Sequence, residues 1–231
     1  FKGEYPLVEY YKAFCKKDLA FIKTAEAMDT GYCFPSRLED IKVLSYAIEN
    51  DTTAANACYY LGSLYYDRFR YKQAANIWEE GLNRDNTHGK IWRNLSLYYF
   101  DKAGNAEKAK ECLENALKYK NDPRLLLEYE QLLKNMNYTP EQRLQVYEKY
   151  PELLAERDDC YLDKLTLVSQ TGDFEKAIEI RPYHFEYYRD KAQTINILDN
   201  YEEAIESYEK ALYYYGVKES KICRMINLQQ P

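Results

Sequence analysis

The chain has 231 residues and a mass of 27.5 kDa, enough for one large domain or two small ones with a buried core. Its 46% apolar and 30% charged residues exclude a disordered chain and a membrane-spanning one. A net charge of −6 argues against a protein that binds the phosphate backbone of nucleic acids. Glycine and proline are scarce, so we expect long helices rather than a turn-rich β fold.

The amino terminus predicts two short helices, over Tyr5 to Cys15 and Asp18 to Met28. We expect residues 1–35 to form a helical cap or a degenerate repeat. The chain does not begin with Met and shows no signal-peptide pattern, so we expect a fragment of a longer chain. No segment has the about 18 to 20 continuous apolar residues that a membrane helix needs.

A repeat of about 34 residues follows, with two predicted helices in each unit. Leu61, Gly62 and Tyr65 in one first helix recur 34 residues later as Leu95, Ser96 and Tyr99. The predicted second helices share a pair of residues: an aromatic or turn residue, and a small residue three positions later. In the weakest copy the second residue of the pair is not small. This pair begins at residues 71, 106, 140, 174 and 201, and the segment 36–50 fits the same series.

The residue types in these helices have a physical reason. We expect small residues to let the paired helices approach closely, and large ones to fill the space between hairpins. The small positions are Gly62, Ala74, Ser96 and Ala109, and the large ones are Leu61, Trp78, Trp92 and Leu95. Polar clusters such as 50–52 and 85–87 separate the units and offer Asp, Asn or Thr as helix N-caps.

This arrangement resembles the tetratricopeptide repeat (TPR) pattern, W-x₂-L-G-x₂-Y followed by A-x₃-F with a 34-residue period. The resemblance implies an all-α, right-handed superhelical solenoid of five to six TPR-type helical hairpins, with about 10 to 12 helices. We expect a TPR array over 36–231, with a C-terminal tail over 216–231. Its units are expected near residues 36–54, 55–88, 89–123, 124–156, 157–183 and 184–215.

Several short segments of the sequence resemble a narrower family, the TPR tail of a bacterial family of uncharacterised proteins. They are Cys33 to Glu39, Ala54 to Gly62, Ile91 to Leu95, Glu128 to Leu132 and Glu156 to Asp159. Members of that family carry an N-terminal β-rich domain that resembles carbohydrate-active enzymes. The resemblance, over roughly residues 30 to 215, implies that any catalytic residues lie in that domain, upstream of Phe1.

The repeat is irregular near Ile180 and Pro182, because proline disfavours a helix interior and the next second helix starts 27 residues after the previous one. One explanation is a shortened second helix. The other is a stretch missing between about Glu179 and Tyr183, which would separate consecutive Cα atoms by far more than ~3.8 Å. If the backbone is continuous, the binding site is expected nearer Tyr183, His184 and Tyr187.

The sequence shows no catalytic or metal-binding constellation. The six cysteines form no C-x-x-C pair, which argues against a zinc site. Their even number could indicate three disulfides, but the chain is large enough not to need them and most of the cysteines lie on apolar helical stripes, so we expect reduced structural thiols in a reducing compartment and a cytoplasmic location. His88 and His184 are interpreted as solvated loop or helix-start residues, since too few further ligands accompany them. Adjacent acidic pairs point to different sides of a helix. We therefore predict no enzyme activity, no cofactor and no metal.

The candidate site is the concave face formed by the first helices of the stack. Counting along two units predicts that the lining residues are Asn56, Tyr59, Ser63, Tyr66, Lys90, Arg93, Asn94, Leu97 and Phe100. Aromatic rings, side-chain amides and two positively charged side chains suit the binding of an extended peptide or a neighbouring domain. TPR proteins that capture chaperone C-termini place Lys and Asn where Tyr59 and Ser63 stand here, so we do not predict that binding.

The abundant tyrosines allow two interpretations. Either they pack between helices with hydroxyls at the solvent edge, or a subset such as Tyr59 and Tyr66 forms a stacking platform for sugars or peptides. The predicted function is a non-catalytic scaffold for a protein, a peptide or a domain of the same full-length chain. The alternative is an accessory part of a carbohydrate-active enzyme. We predict neither nucleic-acid nor membrane partners, and salt-sensitive RNA binding would contradict this.

Overall fold

The computed structural model describes residues 5–31, 33–120, 122–180, 185–197 and 201–227, over which it contains fourteen helices and no strand. The helices are α1 (Pro6–Lys16), α2 (Ala20–Glu26), α3 (Leu38–Asn50), α4 (Ala55–Asp67), α5 (Tyr71–Arg84), α6 (Gly89–Asp101), α7 (Ala106–Tyr119), α8 (Arg124–Asn135), α9 (Pro140–Lys149), α10 (Pro151–Ala155), α11 (Asp158–Gln170), α12 (Phe174–Ile180), α13 (Phe185–Ile197) and α14 (Tyr201–Asn227). The predicted all-α class is confirmed.

The first residue of the recurring pair coincides with the first residue of each second helix. Helices α5, α7, α9, α12 and α14 begin at residues 71, 106, 140, 174 and 201. At α9 the reason is visible: Pro140 stands at the first helical position, where its missing N–H costs nothing. Thr139 caps this helix, its Oγ1 accepting from the Gln142 N–H at 3.4 Å while the Gln142 side chain bonds back to the Thr139 N–H.

From residue 36 onward the structure describes twelve helices, α3 to α14, which agrees with the 10 to 12 that five to six hairpins predict; α1 and α2 are the two predicted amino-terminal helices. Helix α9 ends at Lys149, and Pro151 then starts the five-residue helix α10, because proline is accepted at a helix start and not in its interior. Arg181 and Pro182 lie outside the described residues, as do Tyr183 and His184, so the discontinuity predicted there stays a prediction.

The chain divides into two compact units, residues 1–132 and 133–231. In the first unit α4 packs on α5 and α6 packs on α7, as the short connections between them require. Tyr10, Ile22, Leu44 and Leu61 belong to its core, which joins the amino-terminal helices to the first full hairpin. In the second unit α13 packs on α14, and a smaller core contains Leu165, Val168, Ala177 and Tyr187. Tyr187 is buried, which does not suit the binding role considered for it.

Close approach at Gly62 is confirmed. A Cβ atom added there would lie 2.3 Å from Nε1 of Trp78, which is almost fully buried. Leu61 and Leu95 are also buried, as predicted. Trp92 differs: it is half-buried, and its indole N–H donates to the Asn86 carbonyl at 2.8 Å.

The polar clusters between units act differently from the prediction. Asp51 and Asp85 each accept from the N–H and hydroxyl of the threonine two residues on, which shapes the turn before the helix. The N-cap position itself is Ala54 for α4 and His88 for α6. The Asp residues are therefore turn residues rather than caps.

Candidate functional site

We use the name first-helix face for the surface of α4 and α6 that carries the nine predicted site residues. All nine lie in the first unit, between positions 56 and 100. Most of them already bond to neighbouring helices or to the segment after α2. The face is therefore largely an internally bonded surface, and its exposed part is small.

A polar chain joins the starts of α4 and α6. The Asn56 amide donates to the Glu26 carbonyl oxygen at 2.8 Å, and its Oδ1 lies 2.9 Å from Nε2 of His88. The Glu26 carboxylate accepts from the backbone N–H groups of Asn56 and Ala57 at 2.7 and 3.0 Å, and from the Tyr10 hydroxyl at 2.5 Å. Burial raises the pKa of Glu26, and these donors oppose that shift by favouring its ionised form.

The structure corrects the interpretation of His88 as a solvated surface residue. Its Nδ1 accepts from the N–H of Ile91 at 3.2 Å, which makes it the N-cap of α6. An accepting Nδ1 places the proton on Nε2, which then donates to Asn56. The ring also stacks on Tyr59, with centroids 5.5 Å apart. Burial lowers the pKa of His88, so the neutral ring that this geometry requires is favoured.

Both predicted cations of the face have partners. Lys90 donates to the Thr30 hydroxyl at 2.6 Å and lies 3.5 Å from Asp29, so the segment after α2 reaches as far as α6. Arg93 binds Glu128 of α8 through two hydrogen bonds of 2.5 and 2.6 Å. Hydrogen bonding to Glu128 raises the pKa of Arg93.

The remaining predicted residues differ in their surroundings. The Asn94 amide of α6 donates to the Ser63 hydroxyl of α4 at 3.4 Å, and Leu97 is 48% exposed one turn further along α6. Tyr66 packs against α5, with its ring centroid 5.6 Å from that of Trp78. Phe100 is half-buried.

The tyrosine contacts agree with packing rather than with a stacking platform. Tyr59 lies against His88 and the ring of Tyr60, and Tyr66 contacts Tyr71 as well as Trp78. Tyr60 is fully buried, whereas the packing interpretation places tyrosine hydroxyls at the solvent edge. The expected position of the hydroxyl at the solvent edge therefore does not hold for every one of these tyrosines.

Sequence reasoning did not assign four acidic or polar residues to the face as partners: Glu26, Asp29, Thr30 and Glu128. Glu128 follows Arg93 by 35 residues, close to one repeat, so pairing of opposite charges at equivalent positions could have identified it. Glu26 and Thr30 lie before the regular repeats and carry no periodic signal. Only the packing of α2 against α4 brings them to the face.

Within the part of the chain that the structure describes, no three His, Cys, Asp or Glu side chains gather as a metal site would require. The five cysteines with described side chains are free thiols, and all but Cys15 are buried. Burial raises the pKa of Cys58 and of Cys112 to about 12, so neither thiol is activated as a nucleophile. Among the described helices, none is both long and apolar enough to cross a membrane.

A family model described as "Tetratricopeptide repeat" matches residues 90–123 and 186–216. Solved structures are similar in fold. YrrB, a TPR protein with an unusual peptide-binding site, is 18% identical with a TM-score of 0.53, over 75% of this chain and 93% of that one. A chain of the Naa15/Naa10 complex bound to HypK-THB is 13% identical with a TM-score of 0.59, over 95% of this chain and 34% of that one.

Residues 90–123 and 186–216 therefore match tetratricopeptide repeats, and the predicted fold class of TPR-type helical hairpins is confirmed. One matched segment contains α6 and α7, which carry five of the nine predicted site residues. None of these matches concerns the β-rich, carbohydrate-enzyme-like domain that the narrower resemblance implies. That domain stays a prediction.

Proposed function

We propose that this protein is a non-catalytic scaffold that binds a peptide or a neighbouring domain on the first-helix face. The observation that carries the proposal is the exposure of Leu97 beside Asn94, one turn apart on α6. An apolar side chain next to a side-chain amide suits an extended peptide. The apolar side chain packs against a side chain of the peptide, and the amide bonds to a backbone group of the peptide. The peptide-binding site of YrrB, a protein of similar fold, supports the same class of function.

The charge pairing of the face limits the chemistry of the partner. Arg93 is held by Glu128, and Lys90 by Thr30 and Asp29, so neither cation is poised to receive a carboxylate. We therefore expect a partner with an apolar side chain over Leu97 and an uncharged backbone group at Asn94. This differs from the expectation, based on sequence, that the two cations take part in binding.

Several finer statements belong to the same proposal. We propose that the protein has no enzyme activity, no cofactor and no metal, and that it binds neither nucleic acid nor membranes. We also propose that its partner can be a domain of the same full-length chain and that its location is cytoplasmic. The accessory role in a carbohydrate-active enzyme rests on the sequence resemblance, and no contact in the structure favours it.

The test uses a phage-displayed library of random 12-residue peptides, selected on the wild-type chain and counter-selected on Leu97→Glu. We expect peptides with an apolar anchor whose affinity falls at least tenfold in Leu97→Glu, as measured by calorimetry. The matched control is Leu212→Glu, which changes a leucine that is 70% exposed in α14 and belongs to neither binding surface. Selected peptides that bind Leu97→Glu as tightly as wild type would overturn the proposal.

A second variant tests whether Arg93 contacts the partner directly or serves only to pair with Glu128. Reversing Arg93 alone would bring two carboxylates together, whereas the exchange Arg93→Glu with Glu128→Arg restores an ion pair. Arg124 also lies 3.2 Å from Glu128, so the exchange is made and compared in an Arg124→Gln background. We expect the exchange to preserve both the melting temperature and the peptide affinity. Lost affinity at unchanged melting temperature would show that Arg93 recognises the partner directly.

A further inference from the structure

Four turns between first and second helices each place one residue in the left-handed backbone region. They are Phe69 (φ 60°), Gly104 (φ 63°), Asn137 (φ 61°) and Gly172 (φ 83°), at intervals of 33 to 35 residues. Glycine adopts this conformation freely and asparagine does so more readily than most residues. Phenylalanine is disfavoured there, because its Cβ approaches the backbone closely.

The hydrogen bonds show that the turn itself requires this conformation. The Phe69 N–H donates to the Tyr66 carbonyl at 3.0 Å, and the Arg70 N–H to the Tyr65 carbonyl at 2.9 Å. This pair of bonds is the Schellman motif that ends helices, in which the left-handed residue is usually glycine. Asn137 and Tyr138 repeat the same pattern in the second unit, each donating at 3.0 Å.

Burial does not account for the phenylalanine. The Phe69 side chain is 79% exposed, and its ring meets that of Tyr71 edge-on at 6.1 Å. An aromatic ring that gains little burial and occupies a disfavoured conformation destabilises the isolated chain. Strained residues of this kind concentrate at functional sites.

Two further apolar side chains belong to the same edge of the first unit. Arg68 donates from Nη2 to the Ser36 carbonyl at 2.5 Å, which brings residues 34–38 beside the turn. Phe34 is 79% exposed and Leu38 is 73% exposed. We use the name turn-edge patch for Phe34, Leu38 and Phe69, none of which is among the nine residues of the first-helix face.

The charge around the turn-edge patch is opposite to that of the whole chain. Residues 34–40, 67–72 and 101–102 contain five cations and four carboxylates, of which Asp40 is buried and bonded to the backbone of Ser36 and Arg37, whereas the chain carries a net charge of −6. Two of the cations, Arg68 and Arg70, flank Phe69 in sequence, and Lys102 lies 4.6 Å from the ring centroid of Tyr71. Such a surface attracts a negatively charged partner and repels a positively charged one.

We propose that the turn-edge patch is a second binding surface, which takes an acidic protein segment with an aromatic or aliphatic anchor. The anchor packs on Phe69, Phe34 and Leu38, and its flanking carboxylates face the arginines around the turn. The retained phenylalanine is then explained by binding, since the fold alone would favour glycine at this position.

The first test is Phe69→Gly, which removes the ring and relieves the backbone. We expect the melting temperature to rise by about 2–4 °C. The same random 12-residue library, selected on the wild-type chain and counter-selected on Phe69→Gly, should yield acidic peptides with an apolar residue. Their affinity should fall at least tenfold in Phe69→Gly and should weaken with added salt. A lower melting temperature, or no peptide that depends on Phe69, would overturn the proposal.

The matched control is Asn137→Gly, which makes the equivalent change in the turn of the second unit and should leave this affinity unchanged. Leu97→Glu should also leave it unchanged, so failure of one surface is distinguishable from failure of the other. Sedimentation velocity tests a different occupant. A dimer that disappears in Phe69→Gly would show that the patch binds a second copy and would overturn the acidic-segment proposal.

Discussion

The first helices of two consecutive repeats, α4 and α6, begin in different ways. The N-cap position of α4 is Ala54, which offers no side-chain acceptor, and the Glu26 carboxylate from α2 receives two of the helix's free N–H groups instead. Helix α6 is capped by its own residue, His88. One start depends on a residue some thirty positions earlier in the chain, and the other on local sequence.

The difference shows how the amino-terminal cap is held to the repeats. A carboxylate at a helix start compensates unsatisfied N–H groups and the positive end of the helix dipole. Because that carboxylate belongs to α2, the start of α4 is complete only when the cap is folded against it. We therefore expect the α4 hairpin to depend on the cap more than the α6 hairpin does.

The largest effect is expected for Glu26→Ala. The change leaves two backbone N–H groups of α4 and the Tyr10 hydroxyl without their acceptor, so we expect a loss of about 2–4 kcal/mol in the free energy of unfolding. Urea denaturation measures this loss. Glu49→Ala, at an exposed position of α3, should change stability by less than about 0.5 kcal/mol. An equally small effect of Glu26→Ala would mean that water caps α4 adequately.

An intermediate effect is expected for Gly62→Ala in α4. The equivalent position of α6 carries Ser96, whereas a Cβ at position 62 would lie 2.3 Å from the Trp78 ring. We expect a net loss of about 1–3 kcal/mol, because the buried indole must move. Gly216→Ala in α14 is the control: its Cβ would meet nothing within 4 Å, so it should stabilise by up to about 1 kcal/mol. Thermal denaturation of both variants would compare them, and a stabilised Gly62→Ala would contradict the close packing.

The smallest effect is expected for His88→Asn, which keeps an N-cap acceptor on α6 and loses the bond to Asn56. We expect a loss of about 0.5–1 kcal/mol in the free energy of unfolding at pH 8. The folded state lowers the pKa of His88 below its ordinary value of 6.5, so its stabilising contribution is complete above that pH and declines as the pH falls. The gap between wild type and His88→Asn should therefore narrow below about pH 6.5. Denaturation curves from pH 8 to pH 5 test this, and a gap that stays constant would contradict the buried neutral histidine.

The sequence predicted the helices well, because their signals are local and recur. The start of α5 at Tyr71 and that of α7 at Ala106 follow from one small residue three positions later in each copy. The close approach of the paired helices at Gly62 followed from residue size, whereas the structure showed that Trp78 is the residue it meets. By contrast, the clusters 50–52 and 85–87, from which an Asp, Asn or Thr cap was expected, do not supply the N-caps of α4 and α6, because Asp51 and Asp85 bond to the threonine two positions on.

The candidate site was harder to predict. Position within a helix identified which residues share the first-helix face, and Ser63 and Asn94 do meet there. The same reasoning could not show that Lys90 is engaged by Thr30, because that contact depends on how the segment after α2 crosses the face. Whether a charged side chain is available for binding is decided by its neighbours in space.

The sequence by itself determined that this is an all-α repeat protein, since a 34-residue period and the size of each buried residue act within one or two turns of helix. The tertiary structure decided which polar groups are satisfied. Glu26 becomes the cap of α4 and Arg93 becomes the partner of Glu128 only when distant helices pack together. It also showed that Phe69 is exposed and has a left-handed backbone conformation. Residue type alone could not predict this, because backbone conformation and burial depend on the folded chain.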